Sequence, residues 1–433
     1  MRTRYLIVGQ GVAGIAAAEA IRAADAGGEI TLLSDDPHGY YSRPGLAYYL
    51  TGEISRAHLF PWRDEEFVQL NLTRVQGQAR ALDCIGHRLL LTTGAILSYD
   101  RLLLATGSAA VRPTLPGSGL PQVVTLDNLA DAERILTLAR KAHSAVVVGG
   151  GITALEIVEG LHRRCRRVHY LLRGERYWSN VLDEVEGRIV LERLAADGVQ
   201  IHPRSELAAI EEKHGRVAAV LTTSGQRIPC DLVAVAIGVA PRAELARAAG
   251  LQVDRGILVD EFLRSSAPDV YAAGDVAQVY DPRVGKALLD TLWNSARSHG
   301  AVAGQNMAGS SIRYVKPTPL NVTRLAGVTT TIIGSVGSGR DADLVGIARG
   351  DSELWRQLGS ALVAEDEHAV NRLRLLVGPW TLIGAVLMGD QRLSLPLQRL
   401  ISEQTDITPI RAQLLASNAP LAALLTRFAE GIR

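Results

Sequence analysis

Apolar residues arrive in this chain as short unbroken runs that end in glycine, a pattern that predicts buried parallel strands joined by helices. Residues 5–8 run straight into Gly9, Gly11 and Gly14, and an alanine-rich helix is expected over 15–24. A second run, 29–33, ends at Ser34 and Asp35. The stretch 38–52 starts as a loop, with Arg43 and Pro44, and becomes a short helix near Tyr48. Residues 72–104 read as short strands punctuated by Gly77, Gly86 and Gly94, and the last strand closes on Ala105, Thr106 and Gly107. A segment dense in proline and glycine, 111–121, looks like a crossing between domains. After a helix over 128–141, the opening pattern returns, with residues 145–148 running into Gly149, Gly151, Ala154 and Glu156. A strand over 167–172, a helix over 183–196 and a strand pair near 207–222 follow, and the apolar run after Asp231 turns at Gly238. Another buried strand delivers Gly274 and Asp275 to a helix start. From about residue 319 the chain reads as strands (322–336, 343–349, 381–387) and then helices (393–402, 410–429).

The glycine spacing has a chemical meaning. In a strand, turn and helix of this kind, the first glycine allows the turn, the second admits a diphosphate to backbone N–H groups, and the third lets helix and strand pack closely. Asp35 follows about 20 residues later, where a ribose hydroxyl needs an acceptor. The second unit carries alanine at its third position, which the fingerprint tolerates. Two such units imply two dinucleotides. The expected architecture is α/β, two Rossmann-like three-layer domains followed by a small C-terminal α+β domain.

Composition narrows the field. The chain has 433 residues, 47% apolar and 21% charged, which is enough for two or three domains with their own cores. A formal charge of +1 gives no overall field toward nucleic acid or a membrane. No apolar run approaches ~18 residues and no cleavable leader is legible, so a cytoplasmic protein is expected. Cys84, Cys165 and Cys230 form no C-x-x-C pair, and neither they nor the ten histidines show metal-ligand spacing.

As an ordered set, these motifs resemble the two-dinucleotide-binding-domain flavoproteins, over residues 1 to about 320. That resemblance implies FAD on the first unit and NAD(H) or NADP(H) on the second, with the nicotinamide domain (113–242) inserted into an FAD domain made of 1–112 and 243–318. Residues 319–433 would form the C-terminal domain, suited to interfaces and partner docking. It implies that Gly9, Gly11 and Gly14 take the FAD diphosphate and Asp35 its adenosine ribose. Arg43 and Pro44 sit in the flavin-covering loop, Thr106 and Gly107 line the flavin, and Gly274 and Asp275 meet the ribityl chain. Trp293 falls on the flavin-side helix, with core packing as its alternative. Gly149, Gly151, Ala154, Glu156 and Gly238 would frame the nicotinamide dinucleotide. Arg173 stands where an NAD-preferring site usually has an acid. With Arg176 it suits a 2′-phosphate. Glu175 could still reach a ribose hydroxyl, so both coenzymes stay open, with a lean to NADPH.

Within the superfamily, the resemblance runs toward rubredoxin and ferredoxin reductases and the FAD region of the nitrite reductase large subunit. Relatives that pair a lysine near Tyr48 with the glutamate at position 156 are not matched here, because Ala47, Tyr48 and Tyr49 occupy that stretch. Relatives that reduce disulfides carry a cysteine in the loop, and 38–52 has none. The expected activity is electron exchange between a nicotinamide dinucleotide and an iron–sulfur protein. That acceptor is either free-standing or part of a larger complex, such as a tungsten or molybdenum aldehyde oxidoreductase. The alternatives are an oxidase or quinone reductase and a non-catalytic flavoprotein. The cofactor carries the chemistry, so no acid–base residue is essential. Glu156 and Tyr48 are the candidates for a supporting catalytic role. The basic run at Arg163, Arg164, Arg166 and Arg167 either complements a helix C-terminus or steers an acidic redox partner. Homo- or hetero-oligomers are both compatible with the sequence.

Overall fold

The computed structural model describes residues 2–281, 285–337, 345–349, 371–416 and 419–431. The chain divides into two compact units. The first comprises Met1–Gly149, Glu156–Val168 and Leu207–Lys316; the second comprises Gly150–Leu155, His169–Glu206 and Pro317–Arg433.

A five-stranded parallel sheet centres the first unit, in the order Val270–Ala272, Arg101–Leu104, Arg4–Val8, Glu29–Ser34, Leu72–Gln76. Its inner strands are mostly apolar because helices cover them, whereas the edge strand Leu72–Gln76 is partly exposed. Leu6, Ile7, Leu33, Leu102, Leu103 and Val270 are all at most 1% exposed. One covering helix, Val12–Ala24, packs against another, Trp293–Met307, with backbones almost in contact. A side chain at Gly300 or Gly304 would run into the carbonyl oxygen of Ala13 or Ala17. A second parallel set pairs Ser144–Val148 with Leu232–Val235, and the latter with Val123–Val124. The two crossings between these sheets, Ser108–Ala110 and Val239–Pro241, pair with each other as antiparallel strands.

In the second unit, strand residues 169–171 pair in parallel with Gln200–His202, and helix Glu184–Ala196 lies between them in sequence. Its C-terminal part is an antiparallel sheet in the order Leu320–Leu325, Val328–Gly334, Leu382–Met388, Arg372–Val377, Val345–Arg349. Helices Ser394–Ser402, Thr408–Leu415 and Leu421–Glu430 follow it. The α/β architecture with a C-terminal α+β region is therefore present.

Three expectations for this region need correction. The single strand over 322–336 is a hairpin, turned at Ala326 and Gly327, which both have positive φ (49° and 79°). The helix over 410–429 is two helices, with Pro420 immediately before the second. Strand Arg372–Val377 was not expected, because Arg372 and Arg374 interrupt its apolar run. Both are nevertheless buried. Arg374 binds both carboxylate oxygens of the fully buried Glu186 at 2.8 and 3.0 Å, and Arg372 binds Asp183 at 2.7 Å. Of the expected strand over 343–349, residues 343 and 344 lie outside the described residues.

Candidate functional site

Four parallel strands of the first sheet end at the same edge, and their turns carry the residues singled out by sequence. Gly9 follows Arg4–Val8, Asp35 follows Glu29–Ser34, Thr106 and Gly107 follow Arg101–Leu104, and Gly274 and Asp275 follow Val270–Ala272. Backbone bonds tie the row together: Gly9 N donates to Leu33 O (2.8 Å), Ala105 N to Val8 O (2.8 Å) and Ala273 N to Leu104 O (3.1 Å). The carboxyl ends of parallel strands are where open α/β sheets take their ligands.

The glycine turn has the shape of a diphosphate cradle. Gly9 has φ 115°, and a side chain there would strike the Ala105 carbonyl; one at Gly14 would strike the Gly9 carbonyl. These two glycines bring strand, turn and helix together. Gly11 differs, because a Cβ there meets nothing within 4 Å. It faces open space at the start of helix Val12–Ala24, which has no acidic residue in its first turn and no side-chain cap. Free N–H groups and the helix dipole favour an anion there.

The flanking groups agree with this reading. Asp35 is exposed and has no partner among the described residues, whereas the adjacent Asp36 is used internally, accepting from His38 N (2.9 Å) and the Tyr41 hydroxyl (3.0 Å). One carboxylate oxygen of Asp275 accepts from Ser108 Oγ at 2.7 Å. Gly107 and Gly274 adopt φ 68° and 77°. Thr106 spends its hydroxyl on Arg242 O at 2.8 Å. Trp293 opens its helix 39% exposed, so core packing is not its role. Tyr48 is likewise 36% exposed, on helix Gly45–Thr51.

Two residues that sequence reasoning passed over join the loop over 38–52 through Arg43. Arg43 Nη2 donates to Asp127 at 2.9 Å, and Arg242 Nη2 donates to the other oxygen of the same carboxylate. Asp127 precedes the Asn128 cap of helix Leu129–Ala139, and that helix-start pattern was its one legible signal.

In the returning glycine pattern, Gly149 has φ 148°, a Cβ at Gly151 meets nothing within 4 Å, and Ala154 is fully buried. Gly238, at φ 121°, accepts from Val111 N (3.0 Å). Arg173 is exposed just beyond strand Arg167–Leu171, and Arg176 is half-buried. Glu175 pairs with Arg204 at 3.2 Å. Both partners are largely exposed, so the pair is weak and open to exchange.

Glu156 is half-buried on helix Ile152–His162, and no hydrogen bond or ion pair reaches it among the described residues. Burial, and secondarily the Glu159 carboxylate, pushes it up to about 8. The folded protein therefore keeps a proton that the unfolded chain releases near its ordinary value. Stability contributed by the neutral form falls as pH rises between the two values and levels off above about 8. Glu156→Gln is expected to match wild type below about pH 4 and to melt at a higher temperature at about pH 9. Parallel melting curves across that range would remove the argument.

Arg164 is not part of a free basic surface, because its guanidinium donates to Leu50 O and to Gly160 O (2.8 Å) and anchors the helix end. Arg163, Arg166 and Arg167 are exposed. If they steer an acidic partner, Arg163→Glu slows its reduction at low salt, and the difference closes as salt screens it. Equal rates at every ionic strength would leave these cations a helix-end role only.

Among the described residues, no cluster of histidine, cysteine or acids could hold a metal, and no helix is long and apolar enough to cross a membrane. Cys84, Cys165 and Cys230 are free, and none lies in the loop over 38–52.

Residues 3–300 match the family model described as pyridine nucleotide-disulphide oxidoreductase. The biphenyl dioxygenase system ferredoxin–NAD(+) reductase component of Paraburkholderia xenovorans is 35% identical, covering 80% of this chain and 84% of that protein. The NADH-dependent phenylglyoxylate dehydrogenase subunit epsilon of Aromatoleum evansii is 28% identical, covering 97% and 96%. A crystal structure of a ferredoxin reductase from Rhodopseudomonas palustris superimposes with a TM-score of 0.87 at 25% identity, covering 99% of this chain and all of that one. The glycine turns, the acids at the strand ends and these matches agree: the chain belongs to the pyridine nucleotide-disulphide oxidoreductase family.

Proposed function

We propose that this protein is an FAD-dependent oxidoreductase that exchanges electrons between NADH and an iron–sulfur protein. The observation that carries the reading is the convergence of Gly9, Gly11, Asp35, Thr106, Gly107, Gly274 and Asp275 on one edge of one parallel sheet. When bound there, FAD supplies a centre that takes a hydride and releases electrons singly. The chain's own residues do the holding. The N–H groups after Gly11 take the diphosphate, Asp35 takes the adenosine ribose, and Asp275, oriented by Ser108, accepts from the ribityl chain. The loop that carries Arg43 and Pro44 lies over the bound dinucleotide, and Trp293, in the first turn of its helix, stands on the flavin side.

On this reading the nicotinamide dinucleotide uses Gly149, Gly151, Ala154 and Gly238 in a domain spanning 113–242. That domain is inserted into a flavin domain made of 1–112 and 243–318, and 319–433 serves partner docking. Glu156 and Tyr48 support the chemistry from the protein side. NADH is favoured over NADPH because the relatives are named for NAD(+) or NADH and Glu175 offers an acid to a ribose diol. The expected kcat/KM is higher for NADH. A strong NADPH preference would instead assign Arg173 and Arg176 to a 2′-phosphate. We place the protein in the cytoplasm.

The iron–sulfur acceptor follows from relatives named as ferredoxin and rubredoxin reductases and from the absence of a cysteine in the loop over 38–52. The match to a dehydrogenase subunit along nearly the whole chain favours a second form of the same reading, a flavin subunit inside a larger dehydrogenase. Anaerobic NADH-driven reduction of a ferredoxin and a rubredoxin tests the acceptor class. Rapid oxygen uptake with reduction of neither would make the protein an oxidase.

A further inference from the structure

Resting on that reading of the FAD site, the geometry assigns Asp127 and Arg242 to it. We propose that Asp127 is a positioning residue that holds Arg43 and Arg242 as a paired guanidinium clamp for the dinucleotide's diphosphate.

Asp127 is 9% exposed, and both of its carboxylate oxygens are taken, one by each arginine. The arginines themselves stay open: their side chains are 43% and 42% exposed, and among the described residues each commits only Nη2 to the carboxylate. Two guanidiniums repel at this range, so without the acid between them they would separate. With it they form a buried anion flanked by two half-exposed guanidiniums, a triad of net charge +1. Planar forks of this kind match phosphate oxygens in pairs.

The triad is also wired to the edge of the sheet where the diphosphate belongs. Arg242 N donates to Gly107 O at 2.9 Å, and Arg242 O accepts from Thr106 Oγ1. Thr106 follows Ala105, whose carbonyl abuts Gly9. On the other side, Arg43 follows Tyr41, whose hydroxyl links Asp36 (3.0 Å) to Leu129 N (3.1 Å). Asp36 O in turn accepts from Gln10 Nε2 at 2.8 Å, next to Gly11. The clamp thus joins three separate parts of the sequence: the loop over 38–52, the residue before the Asn128 cap of helix Leu129–Ala139, and the residue after the returning crossing Val239–Pro241.

The test measures FAD dissociation constants by titrating flavin-stripped full-length protein. Asp127→Asn adds positive charge to the site but removes the acid that orders it. The clamp predicts about tenfold weaker FAD binding, whereas simple charge attraction predicts tighter binding. Arg242→Gln is expected to lose about tenfold as well, and Arg242→Lys, which keeps the charge and loses the fork, to stay nearly as weak. The Asp127→Asn, Arg242→Gln double variant should lose little more than either single one. Asp127→Glu should recover part of the affinity, which a merely structural role would not require. FAD binding by Asp127→Asn as tight as wild type, or tighter, overturns the proposal, as does unchanged binding in Arg242→Gln. If Asp127→Asn fails to fold, the two variants at the half-exposed Arg242 decide the question alone. Wild-type protein that takes up no FAD would instead sink the functional reading, and this proposal with it.

Discussion

Arg374→Met is expected to cost about 3–5 kcal/mol of stability, because it strands the fully buried Glu186 carboxylate without its bidentate partner. The pair does more than neutralise charge. Glu186 also closes the capping box of helix Glu184–Ala196, accepting from Asp183 N at 2.9 Å while Asp183 accepts from Glu186 N at 2.8 Å. Arg374 additionally donates to Val181 O at 2.8 Å, just before that box. One guanidinium therefore joins the start of a helix to the strand Arg372–Val377 inside the second unit. Amide hydrogen exchange reads the consequence directly. Protection should fall together in 184–196 and 372–388, and loss confined to one of these segments would contradict the coupling. The double change Arg374→Met, Glu186→Leu should recover much of the loss, because removing both charges removes the stranded one.

The second large effect separates ligand binding from folding. Gly11→Ala is expected to leave the flavin-free protein as stable as wild type, since its Cβ meets no protein atom within 4 Å and Gly11 already has φ −71°. The same methyl group occupies space that the diphosphate needs, so FAD affinity should fall about a hundredfold, or about 2.7 kcal/mol. Gly9→Ala behaves differently, because φ 115° and the Ala105 carbonyl both oppose a side chain. That variant loses stability and flavin together. Melting curves of the flavin-free forms beside FAD titrations distinguish the two. A Gly11→Ala protein that binds FAD like wild type would place the diphosphate elsewhere.

How much of this was legible in the sequence depended on whether a residue's role is local. Gly9, Gly11, Gly14 and Asp35 declare themselves because turn, helix start and strand end lie within one short unit. Thr106, Gly107, Gly274 and Asp275 could be read because each closes an apolar run, and the shared sheet then brings them together. Asp127 and Arg242 could not, since their partnership spans distant segments and neither stands in a motif. Strand Arg372–Val377 escaped for a related reason. Its arginines look like solvent-facing residues until Asp183 and Glu186, nearly two hundred positions earlier, are seen to neutralise them. In the hairpin Leu320–Leu325 and Val328–Gly334, threonines and apolar residues continue through the turn, and only the positive φ of Ala326 and Gly327 reveals the reversal.

The central claim is that a flavin held at the carboxyl edge of the first sheet is reduced by a nicotinamide dinucleotide held by the same chain and then passes electrons outward one at a time. Anaerobic addition of one equivalent of NADH to purified FAD-loaded protein, followed by oxidised ferredoxin, tests it most directly. The account predicts rapid bleaching of the flavin absorbance, and its return as two equivalents of ferredoxin are reduced. Flavin that keeps its oxidised spectrum with both NADH and NADPH would contradict it.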